Sequence, residues 1–212
     1  MIKVGIVGLG GISAVHLDAY SKVTDKAMII ARCDKIRERA EGTAQGITIN
    51  IGGGGTATQL KATPYTDYRQ LLADPEVELV DVCLPTDLHA EVSIAALEAG
   101  KHVLCEKPMA RTIEQCDNMI AAAKASGKTF MIAHCIRFWP EYVYLKELVD
   151  SGKYGKLVRA DFSRLSAPPR WSSENWLMTP SRSGSSHLDM HIHDTDFIIH
   201  LLGMPKQVIT EG

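Results

Sequence analysis

One stretch, LVDVCLPTDLHAEVSIAALEAGKHVLCEKPM at positions 79–109, leaves the chain few folds to choose from. It opens with an apolar run over residues 79–84, bounded by Pro85, Thr86 and Asp87, the pattern of a short strand buried on both faces. From His89 onward Val92, Ile94, Ala95, Ala96 and Leu97 recur at helical spacing, and Gly100 stands where a left-handed C-cap belongs. A second strand, residues 102–105, ends at Glu106-Lys107-Pro108. Strand, helix and strand in so short a span form a βαβ crossover, which requires parallel strands and a right-handed connection. Ligands bind at the carboxyl ends of such strands. Leu84, Pro85, Thr86, His89, Glu106 and Lys107 all fall there.

The N-terminus fits the same architecture. Residues 3–7 read as a first strand running into Gly8-Leu9-Gly10-Gly11-Ile12-Ser13 and then a helix from Ser13. This is a GxGxx turn with serine in place of the third glycine. Its glycines permit a tight turn and close backbone approach to a pyrophosphate, and the helix start supplies amide donors. A second strand, residues 27–33, carries Asp34 at its tip. A carboxylate there accepts both ribose hydroxyls of an adenosine and repels a 2′-phosphate, which points to NAD. Lys35, Arg37 and Arg39 follow at once and could hold that phosphate, so NADP stays open. In the blander alternative, Asp34 caps the following helix and the basic residues form a solvated face.

Residues 42–63 contain Gly52, Gly53, Gly54 and Gly55 and read as an irregular loop. No lysine-serine or lysine-threonine pair follows them, which argues against a P-loop. Thr66 or Asp67 can cap a short helix through Leu72. A net charge of −2 provides no basic footprint for nucleic acid and no polybasic membrane signal, and no apolar run reaches the length of a membrane span. Five cysteines without CxxC spacing read as reduced thiols. A cytoplasmic protein is expected.

GLGGIS, TDYRQLL, LPTDLH and above all AGKHVLCEKPMA together resemble the Gfo/Idh/MocA family of NAD(P)-dependent oxidoreductases, named after glucose-fructose oxidoreductase and inositol dehydrogenase. The resemblance continues through IRFWP, SGKYGKL and LDMHIHDTDFIIHLLGMP, and so covers nearly the whole chain. It implies an α/β protein: an N-terminal Rossmann doubly wound parallel sheet over residues 1–130, and an incomplete α+β second domain over 131–212 for substrate binding and oligomerisation. Carried over residue by residue, Gly8, Gly10, Gly11, Ile12, Asp34 and Arg39 would hold the adenine dinucleotide. Leu84, Pro85, Thr86 and His89 would line its nicotinamide end, with Glu106 and Lys107 beside the reacting carbon. Lys107, Asp189 and His193 match the family's catalytic residues, and a sugar, cyclitol or related polyol is the implied substrate. A homo-oligomer is expected if the chain is complete. Family chains run on well past Pro205, so a C-terminally truncated form is also expected.

The chemistry of these residue types agrees. Oxidising a secondary alcohol by hydride transfer needs a group that takes the hydroxyl proton. Lys107 suits polarisation of the substrate oxygen, with His193 as general base. On one helix Asp189, His193, Asp196 and His200 would form a single stripe, from which Asp189 could orient His193. His187 and His191 share metal-like spacing with His193 close by, but the glutamate of HExxH is missing, so no metal is expected. Arg137 and Trp139 could bind a hydroxyl-rich substrate or serve as junction packing. Ser183-Gly184-Ser185-Ser186 and His191 depart from the family pattern, and His191 would add bulk at the floor of the pocket. A non-catalytic dinucleotide-binding sensor of the same fold is the competing reading.

Overall fold

The computed structural model describes residues 1–43, 62–170 and 172–211. The four-glycine run and Trp171 lie outside the described residues. From the N-terminus the first elements are β1 (Ile2–Val7), α1 (Ser13–Ser21), β2 (Ala27–Cys33), α2 (Arg37–Glu41), β3 (Thr63–Tyr65) and α3 (Tyr68–Ala73). They continue with β4 (Leu79–Val82), α4 (Thr86–Glu98), β5 (His102–Cys105), α5 (Ile113–Ser126) and β6 (Phe130–Ile132). The strands form one sheet in the order β3-β2-β1-β4-β5-β6, with every pairing parallel. The order reverses between β1 and β4, the switch point at which a doubly wound sheet keeps its ligand.

Both faces of the sheet are covered. Val80, Val82, Val103 and Cys105 pack with Leu71, Ala96, Leu97 and Met119 in one cluster, while Val4, Ile6, Ile29 and Cys83 form the other. Each large apolar side chain fully buried this way contributes roughly 1.5–3 kcal/mol. The helix ends are closed locally. Asp67 Oδ1 accepts from the Arg69 amide at 2.9 Å to start α3, and Thr112 Oγ1 accepts from the Gln115 amide at 3.2 Å to start α5. α4 begins at Thr86, earlier than the apolar pattern predicts, because Pro85 precedes the first turn and polar residues occupy it.

The rest of the chain forms a short 3-10 turn (Cys135–Phe138), α6 (Pro140–Asp150), a second 3-10 segment (Ser173–Met178), α7 (Pro180–Ser183), α8 (Ser185–Asp189) and α9 (Ile192–Leu202). Its small core is Ile136, Phe197 and Leu201, with Tyr142 set edge-on to Phe197 at 4.6 Å between ring centroids. One apolar run here stays unpaired, and one sequence expectation fails. No strand forms over residues 157–165, where Val158 and Leu165 are 95% and 96% exposed. A strand exists only as part of a ladder, and no described residue supplies a neighbour. The single helix expected to carry Asp189 and His193 is also broken. The His191 amide bonds back to Ser186, five residues earlier, and the His193 amide to Met190, three residues earlier. The ladder slips at this point, so the i, i+4 stripe does not form.

Candidate active site

The glycine turn between β1 and α1 shows why its residue types are needed. Gly8 has φ +92°, and a Cβ there would lie 2.4 Å from the Cys83 carbonyl oxygen, so the fold itself excludes any side chain. Gly10 differs. Among the described residues a Cβ at Gly10 would meet no atom within 4 Å beyond its chain neighbours, so their packing does not demand glycine there, whereas close approach of a pyrophosphate would. Among the described residues no side chain caps the first turn of α1, which leaves the amides near Ile12 for an anion. Ser13, in place of the third glycine, is buried and donates its hydroxyl to the Gly10 carbonyl at 2.6 Å. These features fit a dinucleotide.

Asp34 is 8% exposed and turns its carboxylate onto two backbone amides. Its Oδ2 accepts from the Leu9 amide in the glycine turn and its Oδ1 from the Ile36 amide leading into α2, both at 2.9 Å. Each carboxylate oxygen retains a further lone pair for a ribose hydroxyl. Of the three basic residues downstream, Arg39 faces this acid at 3.9 Å. Lys35 turns to Glu174 and Arg37 to Glu41.

At the carboxyl ends of β4 and β5, Thr86 is 1% exposed and its hydroxyl oxygen has no hydrogen-bond partner among the described residues. His89 is placed otherwise than expected. Its ring is buried between the Pro108 carbonyl at 2.8 Å and the Leu84 carbonyl at 2.9 Å, so it braces the two loops from behind and does not line the cofactor site. Burial pushes this imidazole below its usual pKa, against the pull of the two carbonyls.

Lys107 follows β5 and reaches the far half of the chain. Its Nζ donates to the Asp189 carbonyl at 2.8 Å and to Asp189 Oδ1 at 3.2 Å. Asp189 therefore pairs with the lysine, contrary to the expected pairing with His193, because the break after α8 aims it at β5. His193 is pushed down to about 4, first by burial and then by the charges of Lys107 and Arg164. It is neutral near pH 7, and its Nδ1 is buried without a partner among the described residues.

Arg137 grips Asp196 through two bonds, Nε to Oδ2 at 2.7 Å and Nη2 to Oδ1 at 2.5 Å, so it joins the 3-10 turn to α9. Trp139 packs edge-on to Tyr142 at 6.0 Å and stays 44% exposed. Both observations favour junction packing over substrate contact.

The sequence reading missed three participants. Arg164 forks onto Asp194 at 2.7 and 2.8 Å and helps keep His193 neutral. His16 of α1 lies between Asp81 of β4, at 2.8 Å from Nδ1, and Glu106, at 2.9 Å from Nε2. Asp81 is wholly buried. An acid inside the run LVDVCL was the available signal, because a carboxylate is not left in a central strand without a partner. His16, Asp81 and Cys83 together have metal-ligand types and spacing, but both ring nitrogens are already committed to carboxylates.

No described helix is long and apolar enough to cross a membrane. Residues 2–134 match the family model described as oxidoreductase family, NAD-binding Rossmann fold, and residues 142–212 match the GFO/IDH/MocA C-terminal domain. Inositol 2-dehydrogenase from Salmonella typhimurium is 35% identical over 156 residues, covering 73% of this chain and 43% of the relative. A 2,7-anhydro-N-acetylneuraminate hydratase from Escherichia coli is 30% identical over 99% of this chain and 52% of its own. The crystal structure of a probable dehydrogenase from Thermotoga maritima superposes with a TM-score of 0.76 at 29% identity, covering 96% of this chain and 56% of that one. The chain thus spans about half the length of the relatives it matches. With two family models covering its length and a parallel six-stranded sheet built to match, the chain belongs to the GFO/IDH/MocA family of oxidoreductases.

Proposed function

We propose that the protein is an NAD-dependent oxidoreductase acting on a secondary hydroxyl or ketone of a sugar, cyclitol or related polyol. Residues 1–130 form its dinucleotide domain and 131–212 part of its substrate domain. The observation that carries this reading is the meeting of Lys107 with Asp189, beside a histidine held neutral. Gly8, Gly10, Gly11, Ile12, Asp34 and Arg39 hold the dinucleotide, with Leu84, Pro85, Thr86 and Glu106 toward its nicotinamide end. When bound, the nicotinamide accepts or returns the hydride. Lys107 donates to the substrate oxygen and makes its proton easier to lose. His193 takes that proton in oxidation and returns it in reduction. A base with so low a pKa is weak, and the ammonium compensates by acidifying the hydroxyl. Asp189 holds the lysine aimed.

The sequence relationship to an inositol 2-dehydrogenase supports a cyclitol or sugar as substrate class. A relative named as a hydratase shares the scaffold, so a reaction with no net redox change is the second reading. Titration with NADH, followed by a panel of polyols assayed with NAD+ and of keto-sugars assayed with NADH, tests both. Accumulation of NADH with a polyol supports the dehydrogenase, and product formation at constant NADH supports the second reading. Tight NADH binding with no turnover on any compound points to a sensor instead.

A further inference from the structure

We propose that His16 is a positioning residue, an imidazolium clamp that ties the helix opening at the glycine turn to Glu106, the residue preceding Lys107. The inference rests on the oxidoreductase reading for its consequence, though not for its geometry. Nδ1 faces Asp81 Oδ2 at 2.8 Å and Nε2 faces Glu106 Oε1 at 2.9 Å. Ionised carboxylates only accept hydrogen bonds, so satisfying both requires both ring nitrogens to donate, which a neutral imidazole cannot do. The three groups are close to fully removed from water, with side-chain exposures of 12%, 0% and 12% for His16, Asp81 and Glu106. Two carboxylates in such a place need a cation between them, and His16 supplies it.

The clamp continues to the reacting end of the strand. Glu106 Oε2 accepts from the Lys107 amide at 3.0 Å, so His16 holds one oxygen of this carboxylate and the Lys107 backbone the other. Burial alone would raise the Glu106 carboxyl. The bond and charge of His16, together with Lys107, bring it below its usual range. Cys83 also faces the imidazole, with its thiol 3.6 Å from Asp81 Oδ1, and Tyr20 on the same helix faces Asp81, its hydroxyl driven up by burial and by that acid. Neither is a cation at any working pH. α1, β4 and β5 are thereby joined by charge at the switch point, and the turn that grips the pyrophosphate cannot shift without moving the base of Lys107.

The test uses the full chain. Nitrogen-15 shifts of the His16 ring in the wild-type protein are expected to show both nitrogens protonated from pH 6 to pH 9, well past the ordinary histidine value of about 6.5. Titration of His16 near that ordinary value overturns the clamp, whatever the enzyme's activity. In His16→Gln, kcat is expected to fall about tenfold or more with KM for the polyol little changed, and the profile gains a new limb as Glu106 begins to titrate within the accessible range. An unchanged kcat with an unchanged profile overturns the positioning role. If His16→Gln fails to fold, Asp81→Asn, which keeps the bond to Glu106, is measured in its place and is expected to retain the Glu106 behaviour of the wild type. Absence of turnover by the wild type would remove the oxidoreductase reading and leave the ring shifts to decide the clamp.

Discussion

Lys107 and Asp189 stand 82 residues apart in sequence, and the lysine Nζ lies 2.8 Å from the carbonyl and 3.2 Å from the carboxylate of the aspartate. One sits at the end of a buried strand, the other at the end of a five-residue helix. Their contact brings the two halves of the chain to one point, and it sets the charge that the neighbouring His193 feels.

Replacing the ammonium tests its role in the chemistry. Lys107→Met keeps much of the side-chain volume and removes the charge. Turnover on the preferred polyol is expected to fall by roughly 10²–10⁴. NADH affinity, measured by fluorescence titration, is expected to stay close to wild type, because in the proposed site the dinucleotide is held mainly by the glycine turn and Asp34.

The pH behaviour follows from His193. Its pKa is depressed to about 4, so the neutral base persists through the mildly acid range and kcat/KM is expected to keep a competent His193 until pH approaches that value. Stability has the matching sign. The unfolded chain protonates this histidine near pH 6.5, so stability present above that pH declines as pH falls toward the folded value. In Lys107→Met the folded value is expected to rise, although not fully, because burial is the larger cause. Carbon-13 shifts of the His193 ring across pH measure this with no substrate present.

Two glycines separate folding from binding. Gly8→Ala places a methyl 2.4 Å from the Cys83 carbonyl at φ +92°, and a loss of stability of at least about 2 kcal/mol is expected in thermal unfolding. Among the described residues the methyl of Gly10→Ala meets no atom within 4 Å, so its melting curve is expected to match wild type while NADH affinity drops. Equal NADH affinity in Gly10→Ala and wild type would remove the pyrophosphate from this turn.

Asp34 is expected to set the preference between the two dinucleotides. Asp34→Ala loses the proposed acceptor for the ribose and the bonds to the Leu9 and Ile36 amides. NADH affinity should weaken by roughly ten- to a hundredfold. NADPH affinity should change less, since Arg39 is then released from the acid. Parallel titrations with both cofactors measure the ratio.

Periodicity and punctuation by themselves determined the βαβ unit from β4 to β5, the glycine turn before α1 and the acid at the tip of β2, because each is a local rule of spacing. The strands β3 and β6 were not legible. They are three residues each, and β3 carries Pro64, so only pairing with a neighbour makes them strands. The sequence also named Lys107, Asp189 and His193, through a resemblance carried on short motifs, but it paired them wrongly. Which acid serves which base depended on a slip in the helical ladder at His191, and on where the ends of α8 and β5 meet. His16 and Asp81 became partners only once α1 lay across the sheet, since nothing local links positions 65 residues apart. Hydrogen bonds within a turn are written along the chain, whereas the pairing of buried charges is decided by packing, which alone chooses what each will face when water is gone.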